Sequence, residues 1–382
     1  MSELAHEIIT DISDLDDAIW SDNLWTWSSS RISAFKELHV RESAERHIRH
    51  CAPFGRLADR AGILGRDGGL APLVDLSELP VIPTGVFKRA TPLSIETEQV
   101  VHRFESSGTT GRKSVVCRDD TTLERLVGSV VSALSLIDNT EPYNTEVINL
   151  GPPREDAGSV WFAYVLSLIE LSYPTYHGVQ AGRLERSATW AHLRERLGSV
   201  ENIAIVGPPF LLNDFMSSAA HGLSSEDRDR VIVVTAGGWK WRAGESMPRE
   251  ALDEKISRSF SLGTLDRVRD AFNQVELNTV FVECSARRKH IPPWVHAATR
   301  SFDALTELPP GETGLLAYFD ASSISYPCFI VGDDIGMVYE DPCPCGSETP
   351  TIRVDRRLTT MEQRGCAAVL QRDLDAEPAG AL

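Results

Sequence analysis

The chain has 382 residues, of which 38 are basic and 55 acidic, so its formal net charge is −17. This acidic balance argues against nucleic acid or an anionic membrane as the main partner, and the 42% hydrophobic content excludes a largely disordered chain. No apolar run reaches the roughly 18 residues that a membrane span needs. The acidic N-terminal residues do not resemble a secretory signal and the seven cysteines lack framework spacing, so we expect a cytoplasmic protein.

Residues 1 to about 70 are predicted to be helical, because apolar residues recur at helical spacing and the pattern continues over 30–60. The first of these apolar residues are Ile8, Ile12, Leu15 and Ile19. The next segment, 79–88, contains two prolines and a glycine, so we expect an extended or looped conformation there.

Three short β-rich runs, at 146–150, 202–206 and 231–235, each end at a glycine-containing turn. Segments of helix length separate them, and this alternation predicts an α/β fold. Ligands of such folds bind at the carboxyl ends of the strands, so we expect the functional residues there. From about Leu315 onward the sequence is rich in strands and turns.

The most informative run is a loop rich in glycine and hydroxyl residues. It reads Ser106, Ser107, Gly108, Thr109, Thr110 and Gly111, followed by Arg112 and Lys113. Glycines let backbone amides approach an anion, hydroxyls donate hydrogen bonds, and the two cations neutralise charge, so the loop is predicted to bind phosphate. It is not a Walker A loop, because two residues rather than four separate its glycines. The alternative is a solvated turn between two strands.

This loop resembles the phosphate loop of the adenylate-forming enzymes. Within that superfamily the resemblance is to LuxE-type acyl-protein synthetases and the related phenylacetate-CoA ligases. The segment 83–88 resembles their Pro-Val-x-x-Phe-Lys segment, and 237–240 resembles their Gly-Gly-Trp-Lys run. Together these markers extend the resemblance over residues 80–366.

The resemblance implies an α/β fold, the large domain of an adenylate-forming enzyme, in which helices flank mixed sheets. It divides the chain into an N-terminal helical region (1–75), a core that binds ATP and the acyl group (76–357) and a short tail (358–382). We expect a truncated C-terminal portion, because the tail is too short for the additional domain that many of these enzymes carry.

The run 272–276 resembles the aromatic-Gly-x-Thr-Glu motif of the superfamily. The resemblance implies that Glu276 binds Mg²⁺ and that Phe272 and Asn273 lie beside the nucleotide. A hard carboxylate suits Mg²⁺ bound to phosphate oxygens. The alternative for Glu276 is a solvent-facing helix position.

The run 326–336 resembles the later Thr-Gly-Asp-Leu-Gly motif, whose aspartate binds the ribose hydroxyls. Alignment on Ile-Gly makes Asp334 the ribose ligand, with Asp333 as the fallback, and a carboxylate accepts two hydroxyl hydrogen bonds. The resemblance further assigns Arg357 to the hinge arginine, and Gly237 and Gly238 to the nucleotide site.

Three thiols and one imidazole are candidate ligands of a structural zinc site, although 53 residues separate the two halves of the set, so the fold must bring them together. They are Cys284, His290, Cys343 and Cys345. Tetrahedral Zn²⁺ favours such a set, and four protein ligands leave no open position for catalysis. The alternative is four unrelated residues, since free cysteines are often buried in the core.

The catalytic lysine of the missing C-terminal domain needs a replacement. Neutralisation of the charge on the α-phosphate must fall to another cation, and Lys113, Arg112 and Lys240 are the candidates. In the tail, Cys366 resembles the cysteine that accepts the acyl group in LuxE-type proteins. A thiolate attacks a mixed anhydride readily, and Arg364 would lower the pKa of this thiol.

The predicted function is ATP-dependent activation of a carboxylic acid to its acyl adenylate, followed by transfer to a thiol. The acceptor is Cys366, coenzyme A, a carrier protein or an amine, and a reductase or carrier protein is a candidate partner. A different class of function is a non-catalytic acyl-binding or scaffold subunit. The acid and the number of subunits stay open, and a homo-oligomer is compatible with the sequence. Candidates for the acid pocket or for core packing are Trp161, Phe162, His177, Pro208 and Phe210.

Overall fold

The computed structural model describes most of the chain. The described residues are 14–21, 23–106, 112–137, 140–217, 223–224, 226–239 and 246–358. Four groups of sequence predictions lie outside these residues: the helix residues Ile8 and Ile12, the loop residues Ser107, Gly108, Thr109, Thr110 and Gly111, the cation Lys240, and the tail residues Arg364 and Cys366.

Nine helices are found in the described residues. They are α1 (Leu15–Ile19), α2 (Ser29–His50), α3 (Ala52–Arg60), α4 (Asp120–Leu134), α5 (Arg154–Ala157), α6 (Trp161–Ser167), α7 (Arg186–Leu197), α8 (Pro209–Met216) and α9 (Arg249–Phe260). The first three confirm the helical prediction for the N-terminal region. α4 begins where Asp119 accepts a hydrogen bond from the backbone amide of Thr122, which satisfies one of the unpaired donors of the first turn.

Sixteen strands are found in the same residues. They are β1 (Ile82–Pro83), β2 (His102–Glu105), β3 (Val115–Arg118), β4 (Thr145–Asn149), β5 (Thr175–His177), β6 (Val179–Gln180), β7 (Arg183–Leu184), β8 (Asn202–Gly207), β9 (Val231–Ala236), β10 (Val268–Phe272), β11 (Phe281–Val282), β12 (Lys289–His290), β13 (Val295–Arg300), β14 (Gly314–Asp320), β15 (Phe329–Tyr339) and β16 (Thr351–Arg357).

One large sheet has the order β11-β10-β9-β8-β4-β5, and all its pairs are parallel except β10 with β11. β4, β8 and β9 coincide with the three predicted β-rich runs. β9 is buried along its whole length, as expected for a parallel strand covered on both faces. The last residues of β8, β9 and β10 therefore meet at one edge of the sheet.

The second large sheet has the order β12-β16-β15-β14-β13, with neighbouring strands antiparallel, and β1 pairs parallel with β15. The segment 79–88 supplies β1 and then the short 3₁₀ helix Thr84–Lys88, as expected for a proline-containing extended segment. β13 to β16 confirm the prediction of a strand-rich C-terminal part.

One continuous apolar core joins the N-terminal helices to both large sheets. It includes Phe35 and Phe54 from α2 and α3 as well as Phe319 and Phe329 from β14 and β15, all fully buried. None of the described helices is both long enough and apolar enough to span a membrane.

Candidate functional site

A cleft of about 780 Å³ lies where the carboxyl ends of the parallel strands face the second sheet. Val206 of β8, Ala236 of β9 and Phe272 of β10 line it from the first sheet, and Asp334 of β15 and Arg357 of β16 line it from the second. The predicted location of the functional residues, at the strand ends, therefore coincides with the cleft.

The two flanks of the phosphate loop are held together beside this cleft. The backbone amide of Ser114 donates to Ser106 Oγ at 3.0 Å, and the amide of Ser106 donates to the Ser114 carbonyl at 3.0 Å. Ser106, Arg112 and Ser114 line the cleft. The described residues on either side of the predicted phosphate loop, Ser106 and Arg112, therefore both lie at the cleft wall.

Glu276 lies in the cleft wall after β10 and is almost entirely buried. Burial raises the pKa of this carboxyl, and a hydrogen bond from the Ser114 side chain acts in the opposite direction. Glu276 therefore lies buried beside the flank of the predicted phosphate loop. It does not occupy the solvent-facing helix position that was the alternative.

Asn273, which replaces the glycine of the family motif, makes a defined set of hydrogen bonds. Its Oδ1 accepts from Trp161 Nε1, and its Nδ2 donates to the carbonyls of Leu277 at 3.2 Å and Thr279 at 2.8 Å. The side chain therefore closes the turn that carries Glu276 and connects it to α6. Phe272, the aromatic residue of the motif, also lines the cleft.

Asp334 and Arg357 form a two-point ion pair across β15 and β16. Arg357 Nε and Nη2 donate to the two carboxylate oxygens at 2.9 and 3.3 Å. The Asp334 carboxylate raises the pKa of Arg357. The neighbouring Asp333 lines the cleft too, and its carbonyl accepts from the backbone amide of Leu358 at 2.7 Å.

Gly237 follows β9 at the cleft, where its φ of +73° disfavours other residues. A Cβ at this position would lie 2.7 Å from the Phe162 ring, so the glycine also permits a close approach of α6. Gly238 lines the cleft beside it. Of the acid-pocket candidates, Trp161 and Phe162 line the cleft, whereas His177, Pro208 and Phe210 are not among its lining residues.

The cations that line the cleft are not the same set as the cations nominated from the sequence. Lys113 Nζ pairs with Glu105 Oε2 at 2.8 Å and is not among the lining residues, whereas Arg112 is. Lys88, which the sequence analysis did not nominate, also lines the cleft. The sequence contained a signal that could have nominated Lys88, because this residue ends the 83–88 segment that resembles the LuxE-type group.

Lys88 is positioned by the residues just before it. β1 is paired with β15, in the register Ile82 to Ile330, and Phe87 is buried in edge-on contact with Tyr326 at a ring distance of 5.8 Å. These contacts hold the short helix against the strand that carries Asp333 and Asp334. The exposed ammonium group is therefore held at the cleft by buried neighbours.

We call eight of the charged and hydroxyl residues of the lining the polar wall. They are Lys88, Ser106, Arg112, Ser114, Glu276, Asp333, Asp334 and Arg357. We call nine aliphatic residues of the lining the apolar wall. These residues come from α4, from α6 and the segment after it, from β8, β9 and β11, and from the position before β11. They are Val130, Leu134, Val165, Leu166, Ile169, Val206, Val234, Val280 and Val282.

The predicted cysteine and histidine cluster is assembled by the fold. The ligand atoms of Cys284, His290, Cys343 and Cys345 all lie within 4.8 Å of one another. Cys284 Sγ is 3.6 Å from Cys343 Sγ, and Cys345 Sγ is 3.3 Å from His290 Nε2. The other ring nitrogen of His290 contacts Thr349 Oγ1 at 2.5 Å. β12, which carries His290, pairs with β16 and thereby brings the two distant halves together.

Comparisons with known proteins place the sequence in a family. The family model described as "Acyl-protein synthetase, LuxE" matches residues 2–375. The chain is 34% identical over 385 residues to the long-chain-fatty-acid–luciferin-component ligase of Vibrio harveyi, covering 100% of this chain and 99% of that protein. It is 36% identical over 358 residues to the ligase of the same name from Aliivibrio fischeri, covering 93% of each.

Solved structures agree on the fold. The structure resembles 2-hydroxyisobutyryl-CoA ligase in an open conformation with 2-HIB-AMP and CoA, with a TM-score of 0.67, 12% identity and coverage of 91% of this chain and 74% of that one. The postadenylation state of the same ligase with 2-HIB-AMP gives a TM-score of 0.65, with 12% identity and coverage of 91% and 72%. The predicted fold of an adenylate-forming enzyme is thereby confirmed. The chain belongs to the LuxE family of acyl-protein synthetases, and it is a ligase that activates an acid with ATP as its acyl adenylate and passes the acyl group to a thiol.

Proposed function

We propose that this enzyme activates a long-chain fatty acid and transfers the acyl group to its own Cys366. The observation that carries the proposal is the composition of the cleft, in which the polar wall meets the apolar wall. Aliphatic side chains favour a hydrocarbon chain because its burial removes apolar surface from water. The names of the two Vibrionaceae relatives support the choice of a long-chain fatty acid.

The nucleotide is proposed to lie along the polar wall. Asp334 accepts hydrogen bonds from the ribose hydroxyls, and the two-point ion pair with Arg357 orients its carboxylate. Phe272, Gly237 and Gly238 flank the base. The phosphates then reach the loop that begins at Ser106.

In the first half-reaction a carboxylate oxygen of the acid attacks the α-phosphorus. The bond between the α-phosphorus and the bridging oxygen breaks, and pyrophosphate leaves with that electron pair. Lys88 and Arg112 are the cations of the cleft lining that are proposed to stabilise the developing negative charge. Lys113 and Lys240 remain candidates for the same role.

Glu276 is proposed to hold Mg²⁺. Glu276 suits this role, because Mg²⁺ prefers a hard carboxylate as a ligand alongside phosphate oxygens. The Glu276 side chain lies in the cleft wall beside Ser114, at the flank of the predicted phosphate loop. When bound, Mg²⁺ supplies charge neutralisation at the phosphates.

Cys366 is proposed to accept the acyl group in the second half-reaction. Its thiolate attacks the acyl carbon, the bond to the phosphate oxygen breaks, and AMP leaves. Leu358 is hydrogen-bonded to Asp333 at the cleft, and Cys366 is eight residues further along the chain. Eight residues span at most about 28 Å, so the thiol is within covalent reach of the acyl adenylate.

The four-residue cluster is proposed to hold a structural Zn²⁺. Three thiols and one imidazole match the ligand preference of this ion, and the contact of His290 with Thr349 fixes the ring by its other nitrogen. Metal analysis of the purified protein should find about one zinc per chain, and Cys345→Ala should lower that content and the thermal stability. Zinc-free protein of unchanged stability would contradict this part of the proposal.

The test of the function follows the acyl group. Incubation with radiolabelled myristic acid and MgATP should leave label on the denatured wild-type protein and none on Cys366→Ala. The variant should still form acyl hydroxamate when hydroxylamine is supplied, because the adenylation step is intact. Cys51→Ala, which removes a buried thiol outside the cleft, serves as the control and should label like the wild type.

Three results would overturn the proposal in different ways. Label that persists on Cys366→Ala would assign the acceptor to another group, whereas label found only on added coenzyme A would make the enzyme an acyl-CoA ligase. Absence of pyrophosphate release with fatty acids of every length would remove the proposed substrate class.

A further inference from the structure

Arg118, at the end of β3, is fully buried and binds the turn that carries Glu276. Its Nε donates to Asn278 Oδ1 at 2.9 Å, and its Nη2 donates to the Val275 carbonyl at 2.8 Å and to Tyr326 Oη at 2.9 Å. A single guanidinium therefore links the strand after the phosphate loop to both sides of Glu276.

The charge of Arg118 has no direct counter-ion among the described residues. Its Nη1 also lacks a hydrogen-bond partner there, and the guanidinium carbon lies 3.8 Å from the centre of the Trp161 ring. Burial lowers the pKa of this group, yet an arginine stays protonated under ordinary conditions. A buried cation without an ion pair is unfavourable, and an aliphatic side chain would fill the same space without that penalty.

The residues that Arg118 contacts also help to hold one segment of the cleft wall, residues 273–277. Tyr326 Oη contacts the Glu276 carbonyl at 3.2 Å, and Trp161 donates to Asn273 at the other end of the segment. The segment 273–277 is thus held by Arg118 directly at Val275, and indirectly at Glu276 through Tyr326 and at Asn273 through Trp161. Trp161 itself lines the cleft, so the same guanidinium also supports an aromatic residue of the cleft wall.

We infer that Arg118 is a positioning residue for adenylation: it fixes the 273–277 segment so that Glu276 faces the phosphates, and it places a buried positive charge behind the cleft wall. A charge in this environment is screened much less than a surface charge, so its field extends to the negative charge that develops in the cleft. Arg118 touches no reactant in this account. The inference rests on the proposed role of Glu276.

The experiment compares Arg118→Met and Arg118→Lys with Arg300→Lys. Arg300 is a matched control, because it is also buried and donates to two backbone carbonyls, those of Ser77 and Leu305, but lies outside the cleft lining. Three quantities are measured for each protein: myristate-dependent pyrophosphate release, the Mg²⁺ concentration for half-maximal rate, and the rate at which supplied myristoyl adenylate acylates Cys366. Equilibrium binding of ATP, in the absence of the acid, gives a readout independent of turnover.

Arg118→Met should reduce pyrophosphate release about 30-fold or more, raise the Mg²⁺ requirement about tenfold and weaken ATP binding, because the charge and its hydrogen bonds are lost. Arg118→Lys should restore part of the loss, since it keeps the charge. Transfer from supplied myristoyl adenylate should stay within about twofold, because that step needs no pyrophosphate to leave. Arg300→Lys should match the wild type in all four measurements.

An equal loss in adenylation and in transfer, or an unchanged Mg²⁺ requirement, would make Arg118 a merely structural residue and overturn the inference. If Arg118→Met does not fold, Arg118→Lys carries the same comparison. Failure of the proposed function would look different, because the wild type itself would then release no pyrophosphate with myristate.

Discussion

The polar and apolar walls of the cleft differ in how they are built. The polar wall consists of charged side chains held by specific partners, such as Asp334 on Arg357 and Glu276 beside Ser114. The apolar wall consists of aliphatic side chains that also belong to the hydrophobic core, such as Val130 and Val206. Changes to the polar wall should therefore affect the chemistry with every acid, whereas changes to the apolar wall should affect the choice of acid.

The largest expected effect is at the polar wall. Asp334→Asn removes the charge that pairs with Arg357 and weakens the acceptor proposed for the ribose, so kcat/KM for ATP should fall about 100-fold with acids of any length. Steady-state pyrophosphate release over a range of ATP concentrations measures this loss.

Asp355→Asn is the matched control for that substitution. Asp355 also lines the cleft, but it is exposed and pairs with the exposed Arg353 at 2.6 Å. Exposed pairs contribute little, so this variant should stay within about threefold of the wild type. Equal losses in the two variants would remove the special role of Asp334.

A smaller effect is expected at the apolar wall. Val130→Phe adds bulk to a buried position of α4, so kcat/KM for myristate should fall about tenfold while the value for butyrate stays within about twofold. Competition between the two acids in one reaction measures the ratio directly.

Val127→Phe is the control for Val130→Phe, because it adds the same volume to the helix at a position outside the cleft lining. Val127 lies one turn earlier on the same helix, is partly buried and is not among the cleft-lining residues. This variant should keep the chain-length preference of the wild type. If Val130→Phe lowers the rates with both acids equally, the division between the two walls is wrong.

The smallest effect is expected far from both walls, at His47 of α2. Burial lowers the pKa of His47 to about 3 from its ordinary value of 6.5. Between these values the unfolded chain binds a proton that the folded chain does not, so the stability contributed by neutral His47 is lost as the pH falls below about 6.5. Urea unfolding of the wild type at pH 7.5 and 5.5 should show this loss, of the order of 1 kcal/mol, and His47→Gln should lack it.

His50→Gln is the control, because His50 is exposed on the same helix. It should leave the difference in unfolding free energy between the two pH values unchanged. Pyrophosphate release at pH 7.5 should be equal in both variants, since neither residue lines the cleft. A pH dependence of His47→Gln identical to that of the wild type would contradict the proposed cause.

The sequence predicted most of the fold and much of the polar wall, for physical reasons that differ. β4, β8 and β9 were predictable because buried parallel strands are apolar runs that end at glycine turns. Asp334 and Glu276 were predictable because they lie in short motifs where one residue type is needed at one place. The grouping of Cys284 and Cys343 with His290 was predictable because thiols and imidazole together suit Zn²⁺, and metal binding there stays a prediction.

The remaining features depend on the three-dimensional packing. β12 has two residues, Lys289 and His290, and is a strand only because β16 lies beside it. The apolar wall comes from scattered aliphatic residues that no local pattern distinguishes from the rest of the core. Arg118 was missed because arginines are usually exposed, and nothing in its neighbours along the chain indicates full burial.

The most direct test of the two-wall account is a crystal structure with a non-hydrolysable analogue, myristoyl sulfamoyl adenosine, bound to the full chain. The account predicts that the ribose hydroxyls contact Asp334, that the sulfamoyl group lies beside Ser106 and Arg112, and that the hydrocarbon chain contacts Val130, Val206 and Val280. A hydrocarbon chain that leaves the cleft for solvent, or an adenosine bound away from Asp334, would contradict it.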